Sequence, residues 1–76
     1  MTRVEIEHCV PCGLLDRAVG TGTELLQLFG QGLEVVTLRT GDSGVFVGRA
    51  DGGTVYDESE EPYGIGTITE RVRERM

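Results

Sequence analysis

The only two cysteines of this 76-residue chain fall three apart, in the run His8-Cys9-Val10-Pro11-Cys12. Two cysteines placed at random in such a chain would take that spacing in about one arrangement in forty, so the pair is a signal. Two sulfurs this close can exchange a dithiol for a disulfide. One attacks a foreign disulfide and the other resolves the mixed intermediate. The reactive species is the thiolate, and the positive end of a helix just after the pair would stabilise it. Pro11, directly before the second cysteine, stiffens the turn and removes one backbone N–H donor.

Other chemistry could use the same residues. His8, when protonated, would lower the pKa of a neighbouring thiol, and when neutral could accept its proton. Strand alternation sets His8 on the side of Val4 and Ile6, where it could equally close the edge of the core. His8, Cys9 and Cys12 together could hold a metal, but structural zinc takes four ligands and the chain has no other Cys or His. Covalent haem attachment needs a histidine after the pair and is excluded. The plain alternative is that both thiols pack as small hydrophobes, which requires no such spacing. No cofactor site is indicated. Gly20-Thr21-Gly22 and Gly64-Ile65-Gly66 do not follow strands in a G-x-G-x-x-G pattern.

The elements that must position the pair follow from periodicity. Residues Thr2 to Glu7 alternate, with Val4 and Ile6 on one side and Arg3, Glu5 and Glu7 on the other, which predicts a half-buried strand. The loop His8–Cys12 comes next, with Pro11 suited to a helix start. Leu14, Leu15, Ala18, Leu25, Leu26 and Phe29 fall on one helical face. Gly20 and Gly22 interrupt it at about 1 kcal/mol each relative to alanine, leaving one kinked helix and two short ones both open. Leu33–Thr40 is rich in β-branched residues and reads as a strand, followed by a turn at Gly41-Asp42-Ser43-Gly44. Val45–Ala50 is a second strand, and Asp51-Gly52-Gly53 turns it into Thr54–Asp57. The acidic loop Glu58–Glu61 leads to Pro62. Ile65, Ile68, Val72 and Met76 mark a closing helix.

The bulk properties limit the partners. Residues 1–76 make one small domain. No stretch approaches the roughly 20 apolar residues of a membrane span, and no secretory signal is visible. A soluble, cytoplasmic protein is expected. In a reducing cytosol a C-x-x-C pair is catalytic, redox-sensing or metal-binding rather than a staple. Thirteen carboxylates face seven arginines with no lysine, for a net charge of -6. Such a surface repels phosphate backbones, which argues against nucleic-acid and anionic-membrane partners. It also suits a salt-accumulating archaeal host, where dense counterions screen the self-repulsion.

A strand ending in C-x-x-C, a helix, a three-strand meander and a closing helix resemble the Rdx family of small thioredoxin-like proteins related to selenoprotein W. The residues that carry the resemblance are Val4–Cys12, Leu33-Glu34-Val35-Val36, Gly44-Val45-Phe46-Val47 and Asp51-Gly52-Gly53. It implies an α/β (α+β) thioredoxin-like fold of order β-α-β-β-β-α, a small mixed sheet flanked by two helices. It further implies thiol redox exchange. In thioredoxin-like loops the first cysteine is the more exposed, which points to Cys9 as the attacking sulfur. Selenoprotein members carry selenocysteine at the second position, which points to Cys12. The order of attack stays open. Unlike thioredoxins proper, the chain has only Pro11 and Pro62, so no cis-proline can face the cysteines from a neighbouring strand.

The leading expectation is a redox protein using Cys9 and Cys12, with His8 and Pro11 modulating them, that exchanges electrons with a protein or low-molecular-weight thiol. A soft-metal Cu(I) or zinc carrier would also place C-x-x-C after its first strand, but such domains end in a strand and usually carry Met-x-Cys. Here Glu7 occupies that methionine's place. A redox-sensitive interaction module without turnover is the third possibility.

Overall fold

A computed structural model describes residues 2–76. The elements are β1 (Thr2–Cys9), α1 (Leu15–Phe29), a 3-10 turn (Gly30–Gly32), β2 (Leu33–Gly41), β3 (Phe46–Ala50), β4 (Gly53–Asp57) and α2 (Ile65–Glu74). The order β-α-β-β-β-α is the one expected. The sheet runs β2-β1-β3-β4, with β1 parallel to β2 and antiparallel to β3. The three later strands therefore do not form a meander. The helical crossover returns β2 to the outer side of β1, as a parallel β-α-β connection requires, and β1 separates β2 from β3.

Alternation divides β1 as read from the sequence. Val4 and Ile6 enter one core with Ala18 and Leu25 of α1, Phe46, Ala50, Val55 and Tyr56 of the β3–β4 hairpin, and Ile68 and Val72 of α2. Both helices thus cover the same face of the sheet. The other face carries ion pairs: Arg49 reaches Glu5 at 2.8 Å and Glu7 at 3.1 Å, and Arg39 reaches Glu5 at 3.6 Å. These pairs are partly solvated, so each contributes little. The β3–β4 turn is Asp51-Gly52 alone, with φ of 51° and 84°, and Gly53 already belongs to β4. Two successive positive φ values match the twist of a two-residue hairpin, which Asp-Gly tolerates.

α1 is one uninterrupted helix through Gly20 and Gly22. Two contacts outweigh the glycine penalty. Thr21 Oγ1 donates to the carbonyl of Arg17 at 2.8 Å and sits 2.8 Å from Tyr63 Oη. Gly22 lies over the sheet, where an added Cβ would stand 3.4 Å from Val36 Cγ1. The buried face of α1 is narrower than its apolar residues suggested. Ala18 and Leu25 are buried and Leu14 and Phe29 half-buried, whereas Leu15 and Leu26 are exposed. Sharing the sheet face with α2, α1 buries only one stripe, and it has more apolar residues than that stripe holds. Met76 likewise lies in the open.

Candidate functional site

Cys9 is the last residue of β1, and it is held on both sides. Its N–H donates to the carbonyl of Val45 at 2.8 Å, and the next N–H, that of Val10, donates to the carbonyl of Gly41 at 3.1 Å. The chain then makes a β-turn closed by Gly13 N–H to the Val10 carbonyl at 3.1 Å. Pro11 occupies its second position, where a fixed φ near −65° belongs. Gly13 takes a φ of +76°, and Leu14 N–H returns to the Cys9 carbonyl at 3.3 Å. The helix starts only at Leu15. Pro11 is therefore a turn residue and not the first residue of α1, because the Gly13 reversal intervenes.

Cys9 and Cys12 are joined as a disulfide with their Cα atoms 5.3 Å apart, inside the usual range. Their surroundings differ. Cys9 is 0% exposed, enclosed at the strand end, while Cys12 is exposed in the turn. This reverses the expectation that Cys9 is the accessible sulfur. Two residues, Gly13 in the turn and Leu14 at the N-cap, separate Cys12 from α1, so the second cysteine is lifted into solvent rather than folded under the helix. No side chain caps α1. Its first free N–H groups lie immediately beyond the turn.

His8 sits with Val4 and Ile6 on the helix-covered side, between its register partners Thr40 and Phe46. It is buried, and its Nδ1 has no hydrogen-bond partner within the protein. Among the described residues, no group of three or more His, Cys, Asp or Glu converges where a metal ion could be held. Above this layer, Arg17 is fixed between Glu58, at 2.9 Å, and the rings of Tyr63 and Phe46, whose centroids lie 4.6 and 5.4 Å from its guanidinium carbon. The residues that sequence reasoning missed are Gly41 and Val45, which moor the turn. Their only signal was a glycine-containing loop between two strands.

A family model described as the Rdx family matches residues 3–74. The fold is similar to a crystal structure of a protein from Bordetella parapertussis, at a TM-score of 0.92 and 31% identity, covering 99% of this chain and 98% of that one. It is also similar to a crystal structure of a selenoprotein W-related protein from Vibrio cholerae, at a TM-score of 0.93 and 25% identity, covering 97% and 95% of the two chains. Comparison with curated proteins gives no match.

Proposed function

The chain belongs to the Rdx family, and from that premise we propose that it is a thiol–disulfide redox protein in which Cys12 attacks and Cys9 resolves. The observation that carries this reading is the bonded pair with one sulfur enclosed and the other open. A foreign disulfide can reach Cys12 and cannot reach Cys9.

In the reduced protein, the Cys12 thiolate displaces one sulfur of the partner's disulfide. A Cys12–partner disulfide forms and the first partner thiolate leaves. The Cys9 thiolate then attacks Cys12 Sγ, closing the Cys9–Cys12 bond and releasing the second partner thiolate. Two electrons pass to the partner, and the two protons that the cysteines gave up end on the partner's thiols. Exposure of Cys12 leaves its thiolate solvated and accessible to the partner. Burial of Cys9 keeps the resolving sulfur from being captured by a second partner.

The working compartment we propose is a reducing cytoplasm, where such a pair can be recycled. The lysine-free, acidic surface supports a high-salt host. The test is to trap the intermediate. Cys9→Ser should accumulate a mixed disulfide through Cys12 when mixed with a disulfide reagent. Cys12→Ser should accumulate little, and the wild type should lose two hydrogens under mild oxidant by mass spectrometry. Trapping at Cys9 in the Cys12→Ser protein would reverse the order of attack.

A further inference from the structure

The surface that leads away from Cys12 is apolar over a length no small disulfide could cover. Val10 and Leu15, on either side of the turn, are 48% and 51% exposed. Leu15, Val19, Gly22 and Leu26 follow at spacings of four, three and four, which align them on one stripe of α1. Val19 and Leu26 are 46% and 48% exposed. The stripe ends in a groove of about 190 Å³ between α1 and β2, lined by Val19, Gly22, Thr23, Leu26, Val36 and Leu38. Gly22 sets its floor by letting Val36 come close to the helix. From Leu15 to Leu26 the helix advances about 16 Å at 1.5 Å per residue. Beside the groove, β2 is the sheet's edge strand. Its outer backbone groups are open to an extended partner.

Charge decides what can use this track. No charged residue lies between His8 and Asp16. The arginine nearest the turn in sequence, Arg17, is held by Glu58 and two rings. Arg3, Arg39, Arg49, Arg71 and Arg73 are also paired with carboxylates. Arg75 lies against Gly53, at the opposite end of the sheet from Cys9. The charged neighbours of the stripe on α1 that remain unpaired are carboxylates, Asp16 and Glu24, both exposed. Among the described residues, a thiol carrying carboxylates of its own meets no unpaired arginine along the stripe, and it approaches a protein of net charge -6.

Building on the redox reading, we infer that the partner of Cys12 is a polypeptide disulfide whose flanking segment is apolar and uncharged or basic, laid along Leu15, Val19 and Leu26 into the groove beside β2. The chemistry is the exchange already written, with the polypeptide disulfide as the electron acceptor. The stripe adds docking affinity, which raises the rate for this class alone.

The reduced protein is mixed, in separate reactions, with 2-hydroxyethyl disulfide, glutathione disulfide and a synthetic peptide bearing leucines and arginines beside an internal disulfide. The wild type should be oxidised by the peptide about tenfold or more faster than by glutathione disulfide. Val19→Glu and Leu26→Glu should each lower the peptide rate about tenfold. Both positions are half-exposed, and both variants should keep the wild-type rate with 2-hydroxyethyl disulfide, which reports an intact fold and site. Should either variant unfold, Val19→Thr and Leu26→Gln carry the same comparison. Peptide rates unchanged in the variants, or a faster reaction with glutathione disulfide, overturn the docking assignment alone. A wild-type dimer that Leu26→Glu converts to monomer in sedimentation overturns it in favour of a second copy of this chain. No oxidation by 2-hydroxyethyl disulfide overturns the redox reading beneath it.

Discussion

Val10 donates its backbone N–H to the carbonyl of Gly41 at 3.1 Å, so the exposed turn is tied to the last residue of β2. That site has no room for a side chain. A Cβ on residue 41 would stand 2.6 Å from Val45 Cγ1 and 3.0 Å from Glu7 Oε2. Val45 cannot easily yield, because its own carbonyl holds Cys9 N–H at 2.8 Å. Gly41→Ala is therefore expected to destabilise the domain by about 1–3 kcal/mol through overpacking. It should also speed hydrogen exchange at the Cys9 and Val10 amides. Urea denaturation and amide exchange check both effects, and wild-type values in the two measurements would remove Gly41 from the site.

The unequal exposure of the two sulfurs predicts unequal reactivity once the disulfide is reduced. In Cys9→Ser, Cys12 should be alkylated by iodoacetamide about tenfold or more faster than Cys9 is in Cys12→Ser. Equal rates would contradict the assignment of roles.

Thr21 Oγ1 gives its hydrogen to the Arg17 carbonyl, so it must accept from Tyr63 O–H in their 2.8 Å contact. Thr21→Val and Tyr63→Phe should each cost about 1 kcal/mol. In a domain of this size that corresponds to a fall in Tm of about 4–8 °C. The double variant should lose clearly less than the sum, because both single changes break one shared bond. Additive losses in thermal melts would show that the two hydroxyls act independently.

Asp57 predicts an acid-limb effect. Its carboxylate accepts from Ser59 N–H at 2.9 Å and Ser59 Oγ–H at 2.7 Å, and these bonds hold it below its ordinary value of 3.8. The unfolded chain therefore takes up the proton first. The stabilisation is fully present above the ordinary value and is lost as pH falls through the lower, folded one. Asp57→Asn should be less stable than wild type at neutral pH and should show a shallower decline below about pH 4. Urea midpoints across that range provide the measurement.

The excess of carboxylates predicts a salt response. With a net charge of -6 and no lysine, raising salt from millimolar to molar should raise Tm, most steeply at the start, where screening changes fastest. A Tm indifferent to salt would count against a high-salt host.

The element order, the strand alternation of β1 and a hairpin at Asp51-Gly52-Gly53 were legible because each depends on local chemistry. Period-two burial marks a strand and Asp-Gly-Gly marks a hairpin, although Gly53 belongs to β4 and the turn is one residue shorter. The placement of β2 outside β1 was not legible, since strand neighbours are set by the helical crossover and not by adjacency in sequence. The continuity of α1 depended on a hydroxyl from Tyr63, 42 positions further along the chain, which no local window contains. The cysteine pair announced itself through spacing, yet its exposure pattern did not. That pattern comes from Gly13, whose left-handed φ delays the helix by one more bend. The apolar positions of α1 were visible too, but periodicity cannot tell a residue facing a sheet from one facing solvent beyond the sheet's margin.

The central seat of β1 has a consequence for how the protein is made. β1 is made before either of its neighbours, β2 on one flank and β3 on the other, so its pairing is incomplete until Ala50 has emerged. Loop closure over such separations is slow. Both thiols are meanwhile bare on a nascent chain, and only completion of the sheet makes the sheltered member of the pair unavailable to strangers.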